Sequence, residues 1–427
     1  MAKQAKTEKK RKGEWDEGLS ALNRNAAGID VGSAEHFVAV PAGRDTEPVQ
    51  TFGSFTADLH RMAQWLKACG IETVVMQATG VYWVALFQTL ESYGFQVNVV
   101  NARHTKTLPG RKTDVLECPW LQKLHTFGLL NNSFRPAEEI QVLRTYLRQR
   151  ENLVAAASTC IQHMQKTLTL MNVQLANVIS DISGVTGMAI LRAIVAGERE
   201  ELLFVLEQSL ELYDLYVRKI AVCDQRIERH LKTMTSKREP GQRSDPDVLP
   251  SPKHDPRFNL KDHLWRITGV DLTKVAGLEV QTVQTIISEV GVDMSRWNTE
   301  KQFASWLGLC PDNRVSGGKV LKRGTRQVVN RAATALRLAA WSLLRSQSAL
   351  GANFRRLRSR LGAPKAITAM AHKLARLIYR MMRFGTEYVE RGMTAYESRY
   401  RQQQMKWLVK QAASLNLQLV PSSEVTN

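Results

Sequence analysis

Residues 25–42, NAAGIDVGSAEHFVAVPA, decide the fold class. Two short runs rich in Ala, Ile, Val and Phe flank Gly32, and such runs punctuated by glycine predict two strands joined by a turn. VQTFG at 49–53 reads as a third strand. Beyond it the periodicity alternates. ADLHRMAQWLKAC (57–69) has helical spacing, ETVVMQ (72–77) is a buried strand, VYWVALFQTLESYG (81–94) a helix, FQVNVVN (95–101) a strand and DVLECPWLQKLHTFGL (114–129) a helix. The expectation is an α/β domain with a sheet core over 25–137, preceded at 1–24 by a disordered basic arm that opens with Lys3, Lys6, Lys9, Lys10, Arg11 and Lys12.

After the connector NNSFRPAE the period changes to seven. Ile140, Leu147, Val154, Ile161, Leu168 and Leu175 form one seam; Leu143, Arg150, Ala157, Met164 and Met171 form the other, with Arg150 as its polar break. A second stretch repeats the spacing through Leu206, Leu210, Tyr213, Val217, Ile220, Ile227 and Leu231, broken by Asp224. This predicts a coiled coil over 138–235, used partly as an antiparallel hairpin and partly against a second protomer. Five prolines between 240 and 256 mark a linker over 236–256. From 257 to 400 the pattern is helical, interrupted by the loop CPDNRVSGGKVLKRG (310–324), and 401–427 completes the chain as a helix and tail.

The chain has 427 residues and a formal charge of +19, with 59 Lys and Arg against 40 Asp and Glu. Such an excess points to a polyanionic partner, nucleic acid first. No apolar run is long enough to cross a bilayer and the N-terminus lacks a signal sequence, so a cytoplasmic protein is expected. Cys69, Cys118, Cys160, Cys223 and Cys310 lie far apart, which argues against a structural zinc and for reduced thiols.

Acidic residues of the α/β domain fall where strands end. Asp30 closes the first strand, and Asp114 and Glu117 lie three apart at the head of a helix. Carboxylates converging there suit Mg²⁺, a hard ion that takes oxygen ligands and serves phosphoryl transfer, although acids at a helix N-terminus also favour its dipole. The preceding loop, with Arg103, His104, Lys106, Arg111 and Lys112, would let a phosphate approach. Between Asn313 and Arg383 stand 17 Lys or Arg and no acid, a composition suited to phosphate contact. At its head, Ser316-Gly317-Gly318 offers an exposed hydroxyl and an open backbone, beside Arg314, Lys319, Lys322, Arg323 and Arg326. Gly-bearing turns before helices at 182–195 and 275–291 could present backbone N–H groups to phosphate, although Glu279 in the second replaces an expected glycine. His36, His60 and His125 show no pairing and read as ordinary residues.

AGIDVG, MQATGVYW, VNARHTKTLPGRKTDVLE, SFRP, ITGV and FASWLGLCPDNRVSGGKVLKRG, in this order over about 25–400, resemble the insertion-sequence 110/1111 family of transposases. The resemblance implies a RuvC-like, RNase H-like DEDD domain, a coiled-coil hairpin and an all-α serine-bearing transposase domain. It implies DNA recombination through a phosphoserine on Ser316, Mg²⁺ held by Asp30, Gln77, Asp114 and Glu117, and guidance by an element-encoded bridge RNA. Donor and target DNA would be the partners of a dimer, assembling to a tetramer at synapsis, in a prokaryotic cytoplasm close to the nucleoid. Two positions depart from the family pattern: Gln77 stands where its second acid, a Glu, is expected, and Glu117 where its fourth, an Asp, is expected. Gln offers a carbonyl oxygen without charge, so the ion should bind more weakly. A Holliday-junction-type nuclease and a decayed, nucleic-acid-binding copy are the alternative readings.

Overall fold

A computed structural model of the chain describes residues 20–78, 80–101, 117–194, 199–238, 256, 258–322, 324–326, 328–386 and 392–418. It divides into two compact units, Met1–Arg135 and Pro136–Asn427.

The first unit is built on the five strands read from the sequence: β1 (Ala26–Val31), β2 (Glu35–Ala39), β3 (Val49–Gly53), β4 (Thr73–Gln77) and β5 (Gln96–Val100). Their order is β3-β2-β1-β4-β5, with the β1/β2 and β2/β3 pairs antiparallel and the β1/β4 and β4/β5 pairs parallel. A short turn at 32–34 joins β1 to β2 and a longer loop at 40–48 joins β2 to β3; the parallel strands need crossovers, supplied by α1 (Thr56–Ala68) and α2 (Trp83–Ser92). This is an RNase H-like mixed sheet.

Alternation along the strands sorts side chains to two faces. Ala27, Ile29 and Val31 join Val74 and Met76 in a core with Leu59, Met62 and Leu66 of α1 and Leu86 and Leu90 of α2. The other face carries Val75 and Val100, packed on Leu121 of α3, which is described over Glu117–Thr126. At Gly28 that helix comes so close that an added Cβ would sit 2.3 Å from the backbone nitrogen of Gln122 and 2.4 Å from the Cys118 carbonyl. Only glycine permits this approach.

In the second unit, α4 (Glu138–Leu170) and α6 (Glu200–Thr233) run antiparallel. His230 meets the Glu139 carbonyl near one end, Arg150 meets Asp224 further along, and Met164 and Leu168 pack with Leu206 and Leu210 at the other end. The two polar breaks in the heptads are therefore partners: the Arg150 guanidinium lies 2.5 Å from the Asp224 carboxylate, both side chains buried. A 3₁₀ turn at Leu175–Asn177 and α5 (Val185–Ile194) close the tip around Leu175, Ile182, Met188 and Leu191. The heptad reading overruns here, because α4 ends at Leu170 and Leu175 belongs to the turn.

The remaining α-helices among the described residues are α7 (Leu260–Thr268), α8 (Val280–Val290), α9 (Glu300–Trp306), α10 (Arg331–Ser342), α11 (Ala349–Leu361), α12 (Ala363–Phe384) and α13 (Gly392–Ser414). The base of the coil is fastened to them by arginines that satisfy open helix C-termini. Arg144 of α4 donates to the Ser288 and Glu289 carbonyls of α8 at 3.0 and 3.1 Å, and Arg266 of α7 donates to Leu231 and Met234 at the end of α6. Coil and C-terminal helices are thus one packed unit. Within it Tyr379 is fully buried, its hydroxyl donating to the Trp297 carbonyl at 2.6 Å among the rings of Phe303 and Trp297. The loop expected at 310–324 is a two-stranded hairpin, β6 (Arg314–Ser316) with β7 (Lys319–Lys322), the one described β element of this unit.

Candidate functional site

In the first unit the parallel register pairs Ile29 of β1 with Met76 of β4, so Asp30 and Gln77 are the next residues on neighbouring strands. Gln77 in turn pairs with Val100 of β5. Both Asp30 and Gln77 alternate to the face covered by α3, since Gly28 and Val75 two positions earlier meet that helix. Glu117 is the first described residue of α3 and is buried, like Gln77. The approach at Gly28 thereby carries Glu117 toward the strand ends that hold Asp30 and Gln77. The Cys118 thiol registers the same neighbourhood: burial first, then the carboxylates of Asp30 and Glu117, push it up to about 12, so it stays neutral. Three of the four expected ligand positions therefore gather at one end of the sheet. Asp114, and the basic loop with Arg103, Lys106, Arg111 and Lys112, lie outside the described residues. The donors present are two carboxylates and one amide, all oxygen ligands, and they fit Mg²⁺ rather than a softer metal. Among the described residues, which leave out Asp114, no three His, Cys, Asp or Glu side chains form a metal-binding group.

At the start of the same strands lies a polar cluster of a different kind. His125 of α3 contacts the Thr73 hydroxyl at 2.9 Å; that hydroxyl donates to the Gln96 carbonyl at 3.0 Å and accepts from Asn98 at 3.2 Å. Burial depresses His125 to about 4, so the ring is neutral and structural, in keeping with the reading of the histidines.

In the second unit Ser316 ends β6 and pairs with Lys319 across a two-residue loop. Gly317 and Gly318 have φ of +54° and +76°, the left-handed pair that such a tight hairpin loop requires and that side-chain-bearing residues rarely adopt. Ser316 and Lys319 are exposed. The hairpin base is fixed by the Pro311–Thr325 bridge, by the Asp312 amide donating to the Gly324 carbonyl at 2.6 Å, and by Arg326, whose guanidinium donates to the Ser305 carbonyl at the end of α9. Arg326 is thus engaged with its own chain. Arg323 lies outside the described residues, as do the side chains of Arg314 and Lys322.

The acid-free window from Asn313 to Arg383 also divides. Arg376 and Arg380 both bind Glu300, Arg331 binds Glu151, Arg355 donates to the Leu344 and Ser346 carbonyls, and Arg356 stacks 3.3 Å over Tyr400 of α13. These cations hold the fold. Among the described residues Arg345, Arg360 and Lys365 make no ion pair and are exposed.

Two family models match the chain. One, described as a transposase of the IS110 DEDD kind, matches residues 27–173; the other, described as the transposase IS116/IS110/IS902 family, matches 271–355. Together they take in more than half of the chain. The chain belongs to the IS110 family of transposases. Among curated proteins none matches. The first match covers the sheet and α4, hence Asp30, Gln77, Asp114 and Glu117; the second covers α8 to α10 and the hairpin, hence Ser316. The transposase acts on DNA, by phosphoryl transfer, in the transposition of an insertion sequence. Gly28, which brings α3 to the site, is no candidate by charge or side-chain chemistry; a glycine inside a strand pattern is the one sequence signal for such an approach. No helix among the described residues is long and apolar enough to cross a membrane.

Proposed function

We propose that this transposase cuts and rejoins donor and target DNA through Ser316, guided by an RNA encoded beside its gene. The observation that carries the reading is the exposed serine at the tip of an acid-free hairpin, in a chain whose other family match gathers acidic and amide oxygens at a sheet end. The Ser316 oxygen attacks a DNA phosphorus, the bond to the 3′ oxygen breaks, and the serine proton ends on the departing 3′ hydroxyl. The 3′ hydroxyl of a second strand then attacks the 5′-phosphoserine and returns the serine. Lys319, opposite Ser316, neutralises the phosphate as charge develops. Asp30, Gln77, Asp114 and Glu117 would hold Mg²⁺, which when bound stabilises attacking and leaving oxygens. Arg103, Lys106, Arg111, Lys112, Arg314, Lys322 and Arg323 would contact the nucleic-acid backbone.

A guide RNA beside the DNA would be a second polyanion to meet the chain's net charge of +19. One face of α6 supports a dimer. Besides the seam that meets α4, this helix exposes Val205, Leu212, Leu215 and Val222 at heptad spacing, a second stripe suited to another copy. In this reading the arm (1–24), RuvC-like domain (25–137), coil (138–235), linker (236–256), serine domain (257–400) and tail (401–427) act as parts of a synaptic tetramer in the cytoplasm, near the nucleoid.

The test is a denaturing gel for covalent protein–DNA adducts, with sequencing of the RNA that copurifies. Wild type should form an adduct and Ser316→Ala none, with one structured RNA enriched. Strand cleavage that survives Ser316→Ala would favour a structure-selective nuclease. Gln77 supports a second reading, a decayed copy that binds nucleic acid, and that copy would be inert at every Mg²⁺ concentration.

A further inference from the structure

The hairpin that carries Ser316 has a property its chemistry does not require. Every residue from Val315 to Leu321 is exposed, so no described part of the chain covers either face of the ribbon. Val315 and Val320 are paired across the strands, 60% and 44% exposed, and Leu321 is 69% exposed. A serine presented for attack would be served as well by polar neighbours, and an uncovered two-stranded ribbon is marginal in water. Yet the base is fixed and the loop has the geometry of a tight hairpin, so the ribbon is a built projection with apolar flanks. Its sequence from 314 to 322 holds three cations and no acid.

The geometry points to the ribbon as a reader of the DNA major groove: alternation puts Val315 and Val320 on the face opposite Ser316 and Lys319, and that face meets thymine methyl groups of the duplex flanking the phosphate that Ser316 attacks. The inference rests on the reading of Ser316 as nucleophile and adds a specificity element to it. Three considerations select this occupant. The charge fits a polyanion and would repel a basic protein surface. The major groove of B-form DNA is wide enough for a two-stranded ribbon, whereas the groove of an A-form RNA duplex is deep and narrow. Methyl groups of thymine are the apolar feature of that groove, and paired valines without hydrogen-bonding groups have nothing else there to recognise.

The experiment compares duplexes from the boundary of the element in which every thymine is kept or replaced by uracil, which removes the methyl alone. Full-length protein carries Ser316→Ala so that chemistry does not intervene, and retains the RNA it copurifies with. The uracil duplex should bind several-fold more weakly to this protein. V315T/V320T, which keeps the β-branched shape and hence the hairpin, should bind the thymine duplex on the order of tenfold more weakly, at about fourfold per lost methyl contact, and should no longer distinguish the two DNAs. Lys319→Gln should instead lower the slope of log affinity against log salt by about 0.9 and keep the discrimination. Equal binding of both duplexes by the Ser316→Ala protein, or unchanged binding by V315T/V320T, overturns the inference. Serine adducts formed by the otherwise wild-type chain in that case leave the recombination reading standing. Discrimination by the valines without any serine adduct would do the reverse, and no binding to any duplex would overturn both.

Discussion

Replacing Asp224 by Ala at the centre of the coil removes the carboxylate that faces Arg150 at 2.5 Å, where the two side chains are 10% and 6% exposed. A pair this buried is screened little by solvent, so the surface value of 1 kcal/mol or less does not apply. Breaking such a pair from one side costs about 3–5 kcal/mol, because the remaining charge stays buried. Replacing both partners together, Arg150→Met with Asp224→Leu, removes the desolvation of both charges and should be neutral or stabilising by about 1–4 kcal/mol. Urea unfolding of the full-length protein at fixed concentration, followed by circular dichroism, measures the cycle. With a slope of about 3 kcal/mol/M, Asp224→Ala should lower the coil's midpoint by about 1 M or more, and the double variant should recover it. A single variant within about 1 kcal/mol of wild type, or a double variant as unstable as the worse single one, would refute the view that these two heptad breaks specify each other.

Gln77→Glu should restore a fourth carboxylate and lower the Mg²⁺ concentration needed for adduct formation, while Asp30→Ala abolishes it; a Mg²⁺ titration on the adduct gel decides, and slower reaction in Gln77→Glu would show a site tuned to the neutral amide. Burial holds His125 at about 4 against an ordinary 6.5, so the unfolded chain takes up the proton first. Its contribution is full above pH 6.5 and is lost as pH falls toward 4, by up to about 3 kcal/mol, and His125→Gln should flatten that part of the midpoint-versus-pH curve. Leu212→Lys with Leu215→Lys, at exposed positions of α6, should split the oligomer in sedimentation while leaving helicity unchanged; an unmoved sedimentation coefficient would place the dimer contact elsewhere.

The strands and helices of the first unit, and the two long helices of the second, were legible because their signals are local. Period two and period seven are written within a few residues of each position, and β1 to β5, α1, α2 and α4 follow them. The candidate residues were legible as types at strand ends and in a glycine-bearing turn. Their assembly was not. The polar breaks at Arg150 and Asp224 could each be read as an imperfection, and only antiparallel pairing across 74 positions makes them one interaction. The acid-free window from 313 to 383 looked wholly directed at phosphate because its acids, Glu300 and Glu151, lie outside it, the second of them 180 positions from Arg331. Strands of three and four residues, too short for alternation to show, hid the Ser316 hairpin. Gly28 is one glycine among 26 until α3 lies across it. Periodicity determines which face an element must bury; which charge meets which, and how near a helix may come, depends on distances that arise only when those faces pack.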